Sequence, residues 1–401
     1  MTRIQREGHV VGPVEVEKMA AGGDGLGRLA DGRVVFVDGA LPGERVHVRL
    51  VDERRDFARA VVEEIAGASP HRVPAPCPHR SAGCGGCRWQ HIDPRAQLEW
   101  KREIVVDALR RTGRMPDAEV VSGGSVPPWG YRSSLRLAVA GDGRVGLREE
   151  RSHRVVPLPD CPVAVPELSA VLDGLRVRGA EEVSLRVGVA SGDVTAWTGT
   201  ANASIEGLPD RARVGAEAIV REHVADVDLR VSAASFFQSG PAAAELLVST
   251  VRAACADALS GAPWIDAFGG VGLFAATLSR DHVGSGAVVV ESSPSACADA
   301  RVNVPAAEVV ESRFERWRPA STGAAVGLVV ADPARAGLGA EGVDVVVATG
   351  ASRVVLVSCD PVAAARDARL LVGHGFRHSG ATVLDLFPQT PHVEVVTRFD
   401  R

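Results

Sequence analysis

The sequence predicts an α/β protein. A doubly wound, mostly parallel sheet occupies the C-terminal part, a small β-barrel the N-terminus, and a mixed α+β segment lies between them. Three observations carry this. From about residue 240, apolar runs of four to six residues alternate with alanine-rich helical stretches, the pattern of strands buried on both faces and separated by helices. Residues 8–66 instead carry short alternating strands broken by glycine turns. Between them, Cys77, Cys84, Cys87 and Cys161 form a ligand-like set.

Length and charge set outer bounds. A chain of 401 residues suggests two or three domains, placed at 1–66, 67–235 and 236–401. Hydrophobic content of 46% supports a sizeable core. No apolar run reaches the roughly 20 residues needed to cross a bilayer. Met1-Thr2-Arg3-Ile4-Gln5-Arg6-Glu7 has no apolar leader core, so a cytoplasmic setting is expected. A net charge of −5 argues against a dedicated nucleic-acid coat. Residues 72–160 nevertheless carry 15 basic against 10 acidic side chains, compatible with phosphate contacts or with an ordinary solvated surface. Lys18 and Lys101 are the only lysines, a compositional bias given no functional weight.

In the N-terminal part, strands are expected at 14–17, 33–37, 45–50 and 58–63. Gly22, Gly23, Gly25 and Gly27 precede the second and Pro42-Gly43 the third. About five short strands closing on themselves suggest an OB-like barrel, a shape that often binds single-stranded nucleic acid.

Next comes Cys77-Pro78-His79-Arg80-Ser81-Ala82-Gly83-Cys84-Gly85-Gly86-Cys87. Thiolates this close, with glycines that let the backbone curl, point to a metal or iron–sulfur nest completed by Cys161. The cysteines alone leave an iron–sulfur cluster and structural zinc both open. Disulfides fit poorly with an odd count of seven cysteines and no leader. A helix is expected from Pro94 to about Arg111. Antiparallel strands are expected at 134–139, 183–188, 193–197 and 228–231.

In the C-terminal part, strands are expected at 264–265, 287–290, 326–330, 353–357 and 393–399. Helices are expected at 241–258, 271–280, 294–303, 340–349 and 361–374. The chemistry gathers at the strands' carboxyl ends, where such sheets bind ligands. The first strand runs into Asp266-Ala267-Phe268-Gly269-Gly270-Val271-Gly272, a turn that lets a ligand approach the backbone. Glu291, about 20 residues on, suits a ribose hydroxyl. The third ends in Asp332-Pro333-Ala334-Arg335, a place for substrate contacts or for a helix cap. The fourth delivers Ser358-Cys359-Asp360-Pro361. A cysteine before a helix start should gain from the macrodipole, which lowers its pKa and favours thiolate. Cys359 therefore reads as a nucleophile, and Cys255 and Cys297 as inert buried thiols. Taken alone, Glu394 reads equally well as a surface acid at a strand start.

Together these pieces resemble the RNA uracil-C5-methyltransferase family along essentially the whole chain. Residues 27–37 and Leu41-Pro42-Gly43-Glu44 look like its TRAM domain. Tyr131-Arg132, Ser235-Phe236-Phe237-Gln238, residues 332–338, Ser358-Cys359-Asp360-Pro361 and residues 387–394 occur in the family's order. The resemblance implies a Rossmann-like class I methyltransferase domain using S-adenosylmethionine, with RNA (tRNA or 23S rRNA) as partner and a monomer as the working state. It implies Cys359 as nucleophile toward uracil C6 and Glu394 as the base that removes the C5 proton. Gln238, Phe268, Gly270, Glu291 and Asp332 would bind cofactor or the uracil edge. Cys77, Cys84, Cys87 and Cys161 would hold a 4Fe–4S cluster, with zinc as the alternative. Two positions depart from the family: Gly269 stands where a cysteine is usual, and Ser239-Gly240 follow Gln238 where an asparagine is usual. Two other readings are a non-catalytic iron–sulfur RNA-binding protein with a relict methyltransferase domain, and an adenine amino-methyltransferase. The first fits poorly with having both Cys359 and Glu394. The second would want an aromatic where Arg335 stands.

Overall fold

The computed structural model describes residues 9–256, 258, 262–280, 286–319 and 326–401. The N-terminal stretch read for a leader, and position 257 of the helix expected at 241–258, lie outside the described residues. Strands β1 (Val10–Met19), β2 (Gly25–Arg28), β3 (Val34–Asp38), β4 (Arg45–Glu53) and β5 (Phe57–Gly67) close into a barrel in the order β1-β2-β3-β5-β4. Alternate residues point inward, so Val14, Val16, Val35, Val37, Val46 and Val48 form its core.

A single helical turn, α1 (Pro78–Ser81), follows Cys77. Helix α2 (Pro94–Arg111) has the bounds the sequence suggested. Asp93 caps it by accepting from the Arg95 N–H, and Pro94 takes the first turn, where no amide partner is needed. After β6 (Val120–Ser125) comes a six-stranded sheet made of β7 (Ser134–Val139), β8 (Val145–Arg148), β9 (Val155–Pro157), β11 (Glu182–Val187), β12 (Val194–Trp197) and β14 (Ala212–Val214). It carries the short helix α3 (Pro166–Ser169), the pair β10 (Arg176–Arg178) and β13 (Ser204–Glu206), and the hairpin β15 (Ile219–Val224)–β16 (Val227–Ser232). The pairing is antiparallel as expected except between β12 and β14, which run parallel.

The C-terminal part alternates α4 (Pro241–Cys255), β17 (Trp264–Ala267), α5 (Leu273–Ser279), β18 (Ala287–Glu291), α6 (Pro294–Asn303), β19 (Glu308–Glu311), β20 (Leu328–Ala331), α7 (Gly339–Ala348), β21 (Arg353–Ser358), α8 (Pro361–Gly373), β22 (Arg377–Asp385) and β23 (Glu394–Asp400). Its eight-stranded sheet has the order β19-β18-β17-β20-β21-β23-β22-β6. Strands β17 to β21 are parallel, and β23 inserts antiparallel between β21 and β22. Three strands were not anticipated. β19 is four residues with no buried position. β22 opens on Arg377-His378-Ser379-Gly380, and β6 reads Val-Val-Ser-Gly-Gly-Ser, compositions typical of loops.

Two elements from the middle of the chain complete the C-terminal sheet. β6 pairs with β22, and α2 packs on α8 and β22. The α2 contact includes a buried ion pair, Lys101 Nζ to Asp385 Oδ1 at 2.6 Å, with both side chains almost fully enclosed. Lys101 also donates to the Phe387 carbonyl at 3.1 Å. Burial pulls the Lys101 pKa down and pushes Asp385 up, while each charge opposes the other's shift.

The barrel is tied to the same region. Lys18 of β1 meets Asp107 of α2 at 2.7 Å. Arg88 reaches Asp24 at 2.7 Å, Asp38 at 2.9 Å and Glu150 at 2.9 Å. Gly23, at φ +95°, lies so close to Pro391 that a Cβ there would collide with it.

Replacing Lys101 by Ala should cost about 3–5 kcal/mol in denaturant unfolding, because Asp385 is left charged and unpaired in a dry site. The double change Lys101→Met with Asp385→Leu should recover most of that loss.

Candidate active site

The antiparallel β21–β23 pairing builds the site. Ser358 lies opposite Val395, so one step further the register sets Cys359 against Glu394. Cys359 ends the strand, and Asp360 caps α8 by accepting from the Val362 N–H at 3.0 Å and the Ala363 N–H at 2.8 Å. Asp332 follows the neighbouring strand β20. Gln238 Nε2 donates to its Oδ2 at 3.4 Å. The structure thus brings together Cys359, Glu394, Asp332 and Gln238.

Electrostatics link the acids. Burial, aided by repulsion from Asp332, pushes Glu394 well above the usual carboxylate range. Burial raises Asp332 to about 7, while its bond from Gln238 opposes the rise. Among the described residues, Glu394 Oε1 has no hydrogen-bond partner. Burial first, then the negative charges of Glu394 and Asp332, raise Cys359 to about 11, with Arg335 acting in the other direction. This corrects the expectation of a lowered thiol pKa. The α8 terminus is present, but Asp360 already takes its amides, and two carboxyls outweigh the dipole. Cys255 and Cys297 are fully buried, with burial raising them to about 12 and about 11. Position rather than acidity therefore singles out Cys359.

Cys359 opens into a cleft of about 340 Å³. Its walls include Arg335 and His392 from the catalytic part, Gly22 from the barrel, and Gly85, Gly86 and Arg88 from the cysteine loop. The barrel and cysteine-loop contributions were missed in the sequence. Their only local signal is paired glycines, which do not say what approaches them.

Of the residues expected to bind cofactor, Phe268, Gly270 and Glu291 gather at the β17–α5 turn. Phe268 and Gly270 have φ of 61° and 55°, and a Cβ on Gly270 would meet nothing within 4 Å. Glu291 accepts from the Gly270 N–H at 3.0 Å and from the Ser293 N–H at 2.7 Å, which fixes its carboxylate beside the turn. Phe268 packs on Phe314, with ring centroids 5.2 Å apart, and Phe314 stacks on Trp317. The two aromatics behind Phe268 were also missed in the sequence. Asp266 is fully buried and pushed up to about 7 by that burial, with Oδ1 unpartnered. At the departing position Gly269, a Cβ would stand 2.7 Å from Val289, so glycine fits this packing closely. Ser239, the other departure, is buried and donates to the Leu386 carbonyl at 3.2 Å.

Cys77, Cys84, Cys87 and Cys161 all line one small cavity, walled otherwise by Trp129, Leu147, Leu158 and Val163 among others. Burial raises Cys87 to about 12, and burial likewise raises Cys84 and Cys161, with neighbouring thiols adding repulsion. Among the described residues, no group of three or more His, Cys, Asp or Glu is placed to hold a metal ion.

The fold is a class I methyltransferase domain preceded by a closed barrel, and residues 7–62 match the TRAM domain family. The chain is 35% identical to a 23S rRNA (uracil-C5)-methyltransferase of Methylococcus capsulatus, over 96% of each protein. It is likewise 35% identical to an uncharacterized RNA methyltransferase of Streptomyces avermitilis, again over 96% of each. The crystal structure of Pyrococcus abyssi tRNA (uracil-54, C5)-methyltransferase with S-adenosyl-L-homocysteine superposes at a TM-score of 0.71, with 26% identity over 96% of this chain and 99% of that one. The chain belongs to the RNA uracil-C5-methyltransferase family, whose enzymes depend on S-adenosylmethionine. No described helix is long and apolar enough to cross a membrane.

Iodoacetamide should alkylate Cys359 of the free protein slowly at pH 8 and faster toward pH 11, as the thiolate fraction grows about tenfold per pH unit below the pKa. Asp332→Asn removes the charge that a carboxyl of pKa about 7 carries at pH 8, and should raise the rate there. Mass spectrometry of the Cys359 peptide reads both effects.

Proposed function

We propose that this enzyme forms 5-methyluridine in RNA through a covalent bond between Cys359 and C6 of the target uracil. The observation that carries the reading is the cross-strand placement of Cys359 and Glu394, with Asp332 and Gln238 beside them. The named relatives act on 23S rRNA and on tRNA, and RNA of one of these kinds is the proposed substrate.

The chemistry follows from uracil. Its C5 is a weak nucleophile until a group adds at C6. The Cys359 thiol gives its proton to water in the cleft, its sulfur bonds to C6, and the ring electrons move to C5 and the C4 oxygen. Asp332, with a pKa near 7, supplies a hydrogen-bonding carboxyl for the uracil edge, and Gln238 orients it. S-adenosylmethionine supplies the methyl group that C5 accepts. Glu394, once ionised, takes the C5 proton, the ring double bond re-forms, and the Cys359 sulfur departs. A carboxylate of raised pKa is the stronger base for that step. The open backbone at Gly270 and the anchored Glu291 suit the cofactor's nucleoside, with Phe268 beside it.

The target base must leave its stack to reach this buried corner. The barrel turn at Gly22, together with Arg88 and Arg335, borders the cleft through which it would pass. Arg132 stacks its guanidinium over Phe387 at 5.4 Å.

For the cysteine nest we propose a 4Fe–4S cluster. Four thiols around one cavity, Cys84 and Cys161 of them buried, support this reading. Cys77, Cys84, Cys87 and Cys161 would hold it, and its role is to fix the loop that walls the cleft. Anaerobically purified protein should show broad visible absorption near 400 nm, on the order expected for thiolate-bound iron, and lose it in Cys87→Ser. Colourless protein that carries zinc would favour the alternative.

The function is tested with RNA containing 5-fluorouridine and S-adenosylmethionine. Fluorine cannot be removed as a proton, so a covalent protein–RNA adduct should accumulate, and Cys359→Ala should abolish it. On ordinary RNA, Glu394→Gln should accumulate the methylated adduct that the wild type releases. Protein that binds S-adenosylmethionine yet gives no adduct with either tRNA or ribosomal RNA would sink the covalent mechanism.

A further inference from the structure

The reaction above leaves unused a group of polar residues gathered around the buried Asp299. Ser295, Asp299 and Asn303 recur every four positions along α6 and so share one face. Asp299 is fully buried and accepts four hydrogen bonds: from Arg230 Nε at 2.9 Å, the Ser232 N–H at 2.8 Å, Ser232 Oγ at 2.8 Å and Ser235 Oγ at 2.7 Å. Ser235 Oγ also meets Ser295 Oγ at 2.9 Å. Asn303 accepts from the Arg230 N–H at 2.8 Å and donates to the Arg230 carbonyl at 2.9 Å. It donates a further bond, at 2.8 Å, to the Val271 carbonyl.

The two ends of this network matter. Val271 sits between Gly270 and Gly272, inside the turn assigned to the cofactor. Ser235 opens the segment whose Gln238 reaches Asp332. The segment is braced from its other side by Arg186, which donates to the Ser235 carbonyl at 2.9 Å and lies over the Phe237 ring at 5.9 Å. Helix α6 starts just after Glu291, whose carboxylate holds the Ser293 N–H. One helix face therefore grips both the cofactor turn and the substrate-side segment, and it touches neither ligand site directly.

We propose that Asp299 and Asn303 are positioning residues that couple the two halves of the site. They hold residues 235–238 in register with the cofactor turn, so that filling one side orders the other. This rests on the cofactor and substrate assignments of the proposed function. Its consequence is reciprocal: RNA should tighten S-adenosylhomocysteine binding, and S-adenosylhomocysteine should tighten RNA binding by the same factor.

The test uses the full chain and Ser235→Ala, which removes one hydroxyl and leaves three of the four Asp299 contacts. Calorimetry gives S-adenosylhomocysteine affinity with and without target RNA, and single-turnover methylation gives the rate. In the wild type, RNA should tighten the cofactor product several-fold. Ser235→Ala should keep cofactor affinity without RNA within about twofold and melt near the wild-type temperature. Its rate should fall about tenfold, the worth of a hydrogen bond to a buried charge, and the tightening by RNA should disappear. Asp299→Asn combined with Ser235→Ala should be no slower than the slower single variant, because both break the same contact. Should Asp299→Asn fail to fold, Ser235→Ala alone decides. An unchanged rate would overturn the proposal. So would a rate that falls only in step with lost cofactor affinity and melting temperature, the mark of a merely structural role. Wild-type protein that binds no S-adenosylhomocysteine or methylates no RNA would instead remove the functional reading beneath it.

Discussion

The insertion of β23 between β21 and β22 is the constraint on which the site depends. A parallel strand there would carry Glu394 to the far end of the sheet. The antiparallel ladder brings its first residue to the end where β20 and β21 deliver Asp332 and Cys359. Three groups that can each carry negative charge then share one poorly hydrated corner. Burial shifts all three upward, with repulsion from Asp332 added for Glu394 and repulsion from both carboxyls added for the thiol.

The same topology needs a crossing from β22 into β23, and residues 386–393 make it. The barrel, the cysteine loop, α2 and Tyr131 are each tied to this crossing. Gln97 of α2 accepts from the Gln389 N–H at 2.7 Å, and its amide donates to Gln389 Oε1 at 3.1 Å. Trp89, two residues past Cys87, donates its N–H to the Gln389 carbonyl at 2.8 Å. Tyr131 donates its hydroxyl to the Pro388 carbonyl at 3.1 Å, and the barrel turn presses on Pro391. A cysteine nest far from Cys359 in sequence is thus one residue-to-residue contact away from the loop that leads to Glu394. Fixing residues 84–89 fixes one wall of the cleft and one anchor of the crossing together. That gives the nest a mechanical reason to exist without any redox step.

Much of this was legible in the sequence because it rests on local signals. Buried parallel strands read as apolar runs, and helix α2 announces both ends, with Asp93-Pro94 at its start and paired arginines in its last turn. Glu291, Asp332 and Cys359 were found because each stands at or just past a strand's carboxyl end, whereas Glu394, the first residue of its strand, was found through the family resemblance. What was not legible depends on partners distant in the chain. β6 is a strand only because β22 lies beside it; its glycines otherwise spell a turn. The low-pKa expectation for Cys359 failed for the same reason. The helix dipole is written in residues 359–361, but the opposing charges come from positions 332 and 394. A local rule was read correctly and lost to a non-local sum.

The lysines teach the same lesson in reverse. In a chain that otherwise uses arginine for positive charge, Lys18 and Lys101 looked like accidents of composition. Both turn out to join α2 to something else: Lys18 ties the barrel to Asp107, and Lys101 ties α2 to Asp385. The Lys18 pair is partly solvated and contributes little to stability. Lys101 is different. Its ammonium is enclosed between Asp385, the Phe387 carbonyl and the face of Trp89 at 5.7 Å. A compact head with three donors fills that space, whereas a planar guanidinium would need room for a second edge and more acceptors than the pocket holds. Composition pushes the chain toward arginine, and at this position packing against the crossing loop outweighs it.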